Sequence, residues 1–303
     1  MKADMNMEST SRGTAAAYAD RVVTKIPNWH GLVALDVLFN NLSTGLFLVA
    51  ALGELAAPAH FKALAGVAYP IALLLLAGDL VCLVLDLGDP LRFHHMLRVW
   101  KPGSPMSVGT WCLTAFAVPL TVLAAMSLVP GGDAVPDAIR RLTLVAGVLP
   151  ALGVAVYKGV LFSTSAQPGW CDARWLGGYL SNSALMLGAA TLLVLAHVMG
   201  QSTAIVVLRL ALMPMLVLNL AALGLLLAGL RAPLTRTHGA RALAVLAALV
   251  IVAGSLLPLL LLALRPTGHI AGTALCVLLG AAVARAEIVR LPHRLGEAGT
   301  SGR

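Results

Sequence analysis

Long apolar blocks separated by short polar breaks dominate the sequence. A helix that crosses the hydrocarbon core of a bilayer needs roughly 20 apolar residues at a rise of about 1.5 Å per residue. Eight blocks reach that length: Trp29–Leu55, Ala63–Leu87, Ser107–Val129, Leu142–Ser163, Trp175–Met199, Ile205–Leu230, Ala240–Leu264 and Ile270–Arg290. Because backbone groups inside a bilayer must pair within their own helix, the pattern predicts an all-α polytopic membrane bundle of about eight transmembrane helices.

Composition supports this class, since 59% of the 303 residues are hydrophobic and only 11% are charged. Soluble domains carry about 25% charged residues. The expected organisation is a polar tail (1–28), a four-helix bundle (29–163), four further helices (164–290) and a second polar tail (291–303). No loop is long enough to fold as a domain, so soluble catalytic machinery must belong to another chain.

The distribution of cysteine and histidine predicts that the chain holds no metal of its own. Cys82, Cys112, Cys171 and Cys276 are widely separated, whereas iron–sulfur and zinc sites need clustered thiolates. Of the eight histidines, only His197 lies clearly within an apolar block. Membrane haems are held between two histidines inside the bundle, so no haem is expected.

Basic residues are distributed unequally between the two ends of the predicted helices. Of the 21 lysines and arginines, sixteen fall on the side of the two termini and five on the other. The positive-inside rule then places both termini in the cytoplasm. A basic face can equally serve as the docking face for an acidic partner.

Polar residues at membrane depth concentrate in the first four blocks. They include Asp36, Asn40, Asp79, Tyr157 and Lys158. Ionisable groups at this depth are costly and usually functional. The sequence therefore predicts that a polar pocket, if one exists, lies in the first half of the chain.

The first block carries one polar stripe along a helical face. Asp36, Asn40 and the Ser43-Thr44 pair recur at helical spacing. For Ser43, Thr44 and Gly45 we favour a role in close helix packing, because small residues let membrane helices approach. For Asp36 we favour a functional role, since a carboxylate inside the bilayer needs a partner or a task.

Three short motifs in this half carry a resemblance to a known family. Residues Asp86–Phe93 read Asp-Leu-Gly-Asp-Pro-Leu-Arg-Phe, and residues Ser104–Trp111 read Ser-Pro-Met-Ser-Val-Gly-Thr-Trp. A third motif is Tyr157–Ser163, and Asn41–Gly45 adds a small-residue stretch. Together they resemble the membrane subunits of the NrfD/polysulfide reductase family.

The resemblance implies a quinone-reactive membrane subunit of an oxidoreductase in the bacterial plasma (inner) membrane. Its substrate would be menaquinone or ubiquinone, and it would hold no haem or iron–sulfur cluster. It would exchange electrons with a ferredoxin-like iron–sulfur subunit, which serves a molybdopterin catalytic subunit or a multihaem cytochrome. Besides membrane lipid no further partner is implied, and nucleic acid is not among the expected ones.

The resemblance also implies roles for individual residues. Tyr157 matches the family's pocket tyrosine and would hydrogen-bond a quinone carbonyl. Asp36 lies where family members can carry a histidine and would accept a proton, with Asn40 as a neutral donor one turn deeper. His30 and Lys158 complete the expected quinone-binding set, although Lys158 replaces the family's usual threonine and could instead pair with Asp36.

We expect a second group of residues to dock a partner subunit or to have a structural role. Asp86 could pair with Arg92 or cap the turn that follows, and a catalytic role for it stays open. The segment after it is short, amphipathic and suited to the membrane interface. The residues in this group are Asp86, Arg92, Arg98, Lys101 and Ser107.

Two other functions remain compatible with the sequence. Prolines inside apolar blocks and a buried Asp/Lys pair would suit a proton or small-solute transporter. However, no inverted repeat is evident, and the polar groups cluster in one half of the chain. A structural anchor with a degenerate quinone site is also consistent with the departures at Asp36 and Lys158.

Overall fold

The computed structural model describes residues 31–87, 89–129, 135–264 and 268–300, and these segments are helical, with no β-strand among them. The helices are α1 (Gly31–Ala56), α2 (Pro58–Leu85), a 3-10 helix (Pro90–Leu97), α3 (Pro105–Leu128), α4 (Asp137–Ser163), α5 (Leu176–Val198), α6 (Ser202–Thr237), α7 (Ala240–Leu264) and α8 (Ile270–Thr300). The prediction of an all-α membrane bundle is confirmed.

Seven of the helices in the described segments, α1 to α7, are long and apolar enough to cross a membrane. The eighth apolar block of the sequence coincides with α8, which continues to Thr300 through the segment expected to form a polar tail. The middle of α7, Ala248–Leu256, is π-helical. Such wider turns inside helices are rare and occur frequently at functional sites.

Local sequence signals explain where several helices begin. Pro58 and Pro105 occupy the first turns of α2 and α3, where a missing N–H costs nothing because that group has no partner within the helix. Ser104 caps α3, and its hydroxyl accepts a hydrogen bond from the backbone N–H of Ser107 at 3.5 Å. These breaks keep the connections between the first helices short.

Helix α1 is the centre of the bundle and packs against α2, α4, α5 and α8. At Gly45 an added Cβ would lie 1.8 Å from the carbonyl oxygen of Ala184, and at Gly188 it would lie 2.1 Å from the backbone of Gly45. The backbones of α1 and α5 therefore touch, which only small residues permit. The packing role predicted for Gly45 is confirmed, and it joins the first half of the chain to the second.

The two polar residues before Gly45 are also buried and hydrogen-bonded. The Ser43 hydroxyl donates to the carbonyl oxygen of Ala72 on α2 at 2.7 Å, so the packing role predicted for Ser43 is confirmed. Thr44 donates back to the carbonyl of Asn40 within its own helix at 2.8 Å, and its hydroxyl therefore does not link two helices.

Candidate functional site

Three charged side chains from three helices meet inside the bundle. The Nζ atom of Lys158 on α4 lies 2.8 Å from Oδ1 of Asp36 on α1 and 2.6 Å from Oδ1 of Asp79 on α2. The same Nζ donates to the backbone carbonyl of Asp36 at 3.2 Å. All three side chains are buried, with exposed fractions of 4% for Lys158, 8% for Asp36 and 0% for Asp79. We refer to Asp36, Asp79 and Lys158 as the triad.

The triad contains one more carboxylate than it has ammonium groups. The expected Asp36–Lys158 pair exists, but Lys158 is shared with Asp79, which was not among the predicted site residues. Asp79 interrupts an otherwise apolar run, 71–85, and this signal could have identified it as a buried carboxylate in need of a partner. The signal does not show on which helix the partner lies, because that depends on how the helices are rotated.

Asn40 lies one helical turn deeper than Asp36. Its Nδ2 atom donates to Oδ2 of Asp79 at 3.1 Å, so Asn40 orients the second carboxylate of the triad. Asn40 is not among the residues that line the adjacent cavity, and its expected role as a neutral donor to the quinone stays a prediction.

A cavity of about 250 Å³ opens beside the triad, between the first four helices and the 3-10 helix. Most of its wall is apolar and includes Leu83, Met106 and Phe162. Four polar side chains line it: Asp36, Asp86, Tyr157 and Lys158. An apolar cleft with a few convergent polar groups is the usual form of a small-molecule site.

The position of Tyr157 depends on a glycine of α3. A Cβ added at Gly109 would lie 2.0 Å from Cδ2 of Tyr157, so the ring packs directly against the α3 backbone. The Nζ atom of Lys158 lies 5.7 Å from the centre of the same ring. Gly109 belongs to the Ser104–Trp111 motif, and this contact gives that motif a physical role in shaping the cavity.

Ser107 has a structural role in the same motif. Its Oγ donates to the carbonyl of Val99 at 3.2 Å and accepts from the backbone N–H of Lys101 at 3.0 Å. These bonds hold the chain before α3 against the first turn of that helix. Met106 is thereby kept at the cavity wall.

Three of the remaining predicted residues, Arg92, Arg98 and Lys101, lie on or shortly after the 3-10 helix. Arg92 pairs with Asp89 at 3.0 Å on the exposed 3-10 helix, while Asp86 lines the cavity. Arg98 and Lys101 are exposed on the same segment, and their docking role stays a prediction. His30 lies outside the described residues.

A second buried ionic cluster lies at the opposite end of the bundle. Arg140 Nε contacts Glu54 Oε1, and Arg140 Nη2 donates to Glu54 Oε2 at 3.2 Å. The hydroxyl of Tyr69 donates to the same Oε2 at 2.8 Å. From the sequence, Arg140 was one of the five basic residues on the side away from the termini, and Glu54 was not singled out. In the structure both side chains are buried where α1, α2 and α4 meet.

Arg285 is buried as well. In the sequence it was one of the sixteen basic residues assigned to the side of the termini, and in the structure only 1% of its surface is exposed. Its guanidinium donates to Asn41 Oδ1 at 2.5 Å, Ser183 Oγ at 3.1 Å and the carbonyl of Ala281 at 3.0 Å. These partners are neutral, and among the described residues no carboxylate forms an ion pair with Arg285.

Arg285 bonds Asn41, and the preceding residue, Asn40, bonds Asp79 of the triad. Two adjacent residues of α1 therefore contact a buried positive charge and a triad that has one carboxylate in excess. Within the described segments, no three His, Cys, Asp or Glu side chains gather as metal ligands would. The polar side chains that line the cavity can donate or accept hydrogen bonds and protons.

Comparison with known families supports the resemblance seen in the motifs. A comparison with curated proteins found no match. The family model described as polysulfide reductase matches residues 15–294, which is nearly the whole chain and includes every element of the cavity wall. With its apolar helices and buried polar groups, this chain belongs to the polysulfide reductase family of membrane proteins.

Proposed function

We propose that this chain is the quinone-reactive membrane subunit of a respiratory oxidoreductase complex. It exchanges electrons between a membrane quinone, menaquinone or ubiquinone, and an iron–sulfur partner subunit. The observation that carries the proposal is the cavity between the first four helices, with Tyr157, Asp36 and Lys158 on an otherwise mostly apolar wall. A quinone head has that chemistry: an apolar ring with two hydrogen-bonding oxygens.

The cavity offers a partner to each quinone oxygen. The Tyr157 hydroxyl donates to one carbonyl oxygen, and the triad serves the other. Reduction of a quinone to a quinol adds two electrons and two protons, and oxidation releases the same number. General acid–base groups therefore have to lie within hydrogen-bond reach of the reacting oxygens.

The composition of the triad suits proton exchange. When Asp36 accepts a proton from a quinol, Lys158 keeps an ionised partner in Asp79, 2.6 Å away. Proton uptake therefore leaves a neutral Lys158–Asp79 pair and no isolated buried charge, which would be costly. A simple Asp36–Lys158 pair would lack this property, since protonation would strand the ammonium group.

Electrons must leave or enter through another chain. The exposed basic residues Arg92, Arg98 and Lys101 lie on the segment that covers the cavity, and Met96 of the same segment forms part of the cavity wall. An acidic ferredoxin-like subunit docked there would approach the quinone closely. Charge complementarity of this kind mainly sets docking rate and orientation. That subunit would in turn serve a molybdopterin catalytic subunit or a multihaem cytochrome.

The proposal is tested with Tyr157→Phe and Asp36→Asn in the assembled complex, measured as quinol-linked electron transfer in membranes. Loss of one hydrogen bond to the reacting oxygen should lower turnover on the order of tenfold. Tyr69→Phe is the matched control, because it removes a buried tyrosine hydroxyl at the opposite end of the bundle. Wild-type turnover in both site variants would remove these residues from the mechanism.

Copurification distinguishes the proposed electron-transfer role from the function of a proton or small-solute transporter. An iron–sulfur protein that purifies with the chain would support the electron-transfer role. A chain that purifies alone and moves protons or small solutes across liposome membranes would contradict it. The buried Asp and Lys side chains of the triad make that second measurement necessary.

A further inference from the structure

A second cavity lies between α6, α7 and α8, in the half of the chain that the quinone proposal does not use. Its volume is about 210 Å³. Its wall is formed mainly by leucine and other aliphatic side chains, among them Leu226, Leu230, Leu243 and Ile288. The π-helical part of α7 contributes Val250 to the wall. The interior of this cavity suits a hydrocarbon chain.

The charged side chains that line the cavity are Arg231 and Glu287, and we call the part of the wall that they form, toward the last turns of α6, the rim. Glu287 is held by Arg294, with Nη1 to Oε2 at 2.7 Å and Nη2 to Oε1 at 3.1 Å. His238 Nε2 lies 3.2 Å from Glu287 Oε2. The one carboxylate at this rim is therefore already matched by a guanidinium within the fold.

Two further arginines make the rim positive. Arg231 lines the cavity, and Arg241 lines an adjoining cleft that shares Leu246 and Glu287 with it. Both arginines are exposed. Neither forms an ion pair with another residue in the part of the chain that the structure describes. The rim thus carries positive charge that a ligand can match.

The length of α6 places this rim at the level of lipid headgroups. Its 36 residues extend about 54 Å, whereas the hydrocarbon core of a bilayer is about 30 Å thick. The apolar block of this helix ends at Leu230, so the last turns, which carry Arg231 and lead to His238, are the part that reaches beyond the core. The apolar cavity below them lies at the depth of acyl chains, so its occupant has an apolar chain and an anionic head.

We propose that this cleft is a binding site for an anionic glycerophospholipid. One acyl chain occupies the cavity between α6, α7 and α8, and the phosphate lies between Arg231 and Arg241. Basic pockets between membrane helices on the cytoplasmic side are suited to such headgroups. The positive-inside pattern of the sequence predicts that side for the α6–α7 connection.

The site is tested by native mass spectrometry of the full chain in a neutral detergent. The protein is offered phosphatidylglycerol and phosphatidylcholine with identical acyl chains, and the ratio of the bound lipids is measured. The wild type should retain phosphatidylglycerol in preference. Arg231→Gln and Arg241→Gln should each reduce that preference roughly fivefold. The control Arg236→Gln should leave the preference unchanged, because Arg236 is exposed on α6 but lines neither this cavity nor the adjoining cleft.

A second variant tests the acyl-chain part of the site. Ala247 lines the cavity, and Ala247→Phe should lower retention of both lipids while leaving the exposed arginines in place. Equal retention of the two lipids by the wild type would overturn the proposal. So would displacement of the lipid by inorganic phosphate alone, or preferential retention of an uncharged quinone that is insensitive to Arg231→Gln.

Discussion

Replacing Lys158 by methionine removes the ammonium group of the triad and leaves two carboxylates facing each other inside the bundle. Its Nζ lies 2.8 Å from Asp36 and 2.6 Å from Asp79. The attraction to each carboxylate is on the order of 6 kcal/mol at an effective dielectric constant of about 20. Desolvation of the three groups offsets much of this gain, because charges leave water at a cost of several kcal/mol each.

The net effect follows from the asymmetry between breaking an ionic cluster and replacing it. Removing one partner of a buried pair destabilises a protein by about 3–5 kcal/mol, because the remaining charge stays buried. We therefore expect Lys158→Met to lower the melting temperature by on the order of 10 °C. Asp36→Asn should cost less, since it leaves a balanced Lys158–Asp79 pair.

The assay is thermal unfolding of the purified full chain in detergent, followed by helical circular dichroism. The control is Lys62→Met, which breaks the exposed pair between Lys62 and Asp137, whose side chains are 39% and 74% exposed. Such surface pairs contribute about 0–1 kcal/mol. The neutral triple variant with Asp36→Asn, Asp79→Asn and Lys158→Met should recover most of the lost stability. An unchanged melting temperature for Lys158→Met alone would refute the reasoning.

Two more predictions concern the motif glycine and the second ionic cluster. Gly109→Val should displace the Tyr157 ring, which lies 2.0 Å from the position of the new Cβ, and should lower quinol-linked turnover as strongly as Tyr157→Phe. The control Gly103→Ala, at a position with nothing within 4 Å, should leave turnover unchanged. Equal turnover in the two variants would contradict a role for the Gly109–Tyr157 contact. Glu54→Gln should destabilise the fold by about 3–5 kcal/mol, measured by thermal unfolding, because the buried Arg140 guanidinium loses this carboxylate; a change below about 1 kcal/mol would argue against a buried ion pair.

Local properties of the sequence predicted the architecture and the region of the site. Apolar block length predicted the spans, because hydropathy depends on neighbouring residues alone. The predicted starts of α2 and α3, Ala63 and Ser107, lie a few residues inside the helices, which begin at Pro58 and Pro105. The concentration of Asp36, Tyr157 and Lys158 in the first half placed the cavity. The role of Gly109 became visible only when the ring of Tyr157 was seen against it.

Charge pairing, in contrast, was decided by the tertiary structure. Whether Lys158 faces one carboxylate or two depends on the rotation of three helices, and each residue along a helix turns the side chain by about 100°. Arg285 illustrates the same limit, because its sequence position did not show that it bonds Asn41, 244 residues away. The sequence determined that Asp36, Asp79 and Lys158 lie at membrane depth, because each interrupts an apolar block. Only helix packing determined which of them meet, since that depends on contacts between residues far apart in the chain.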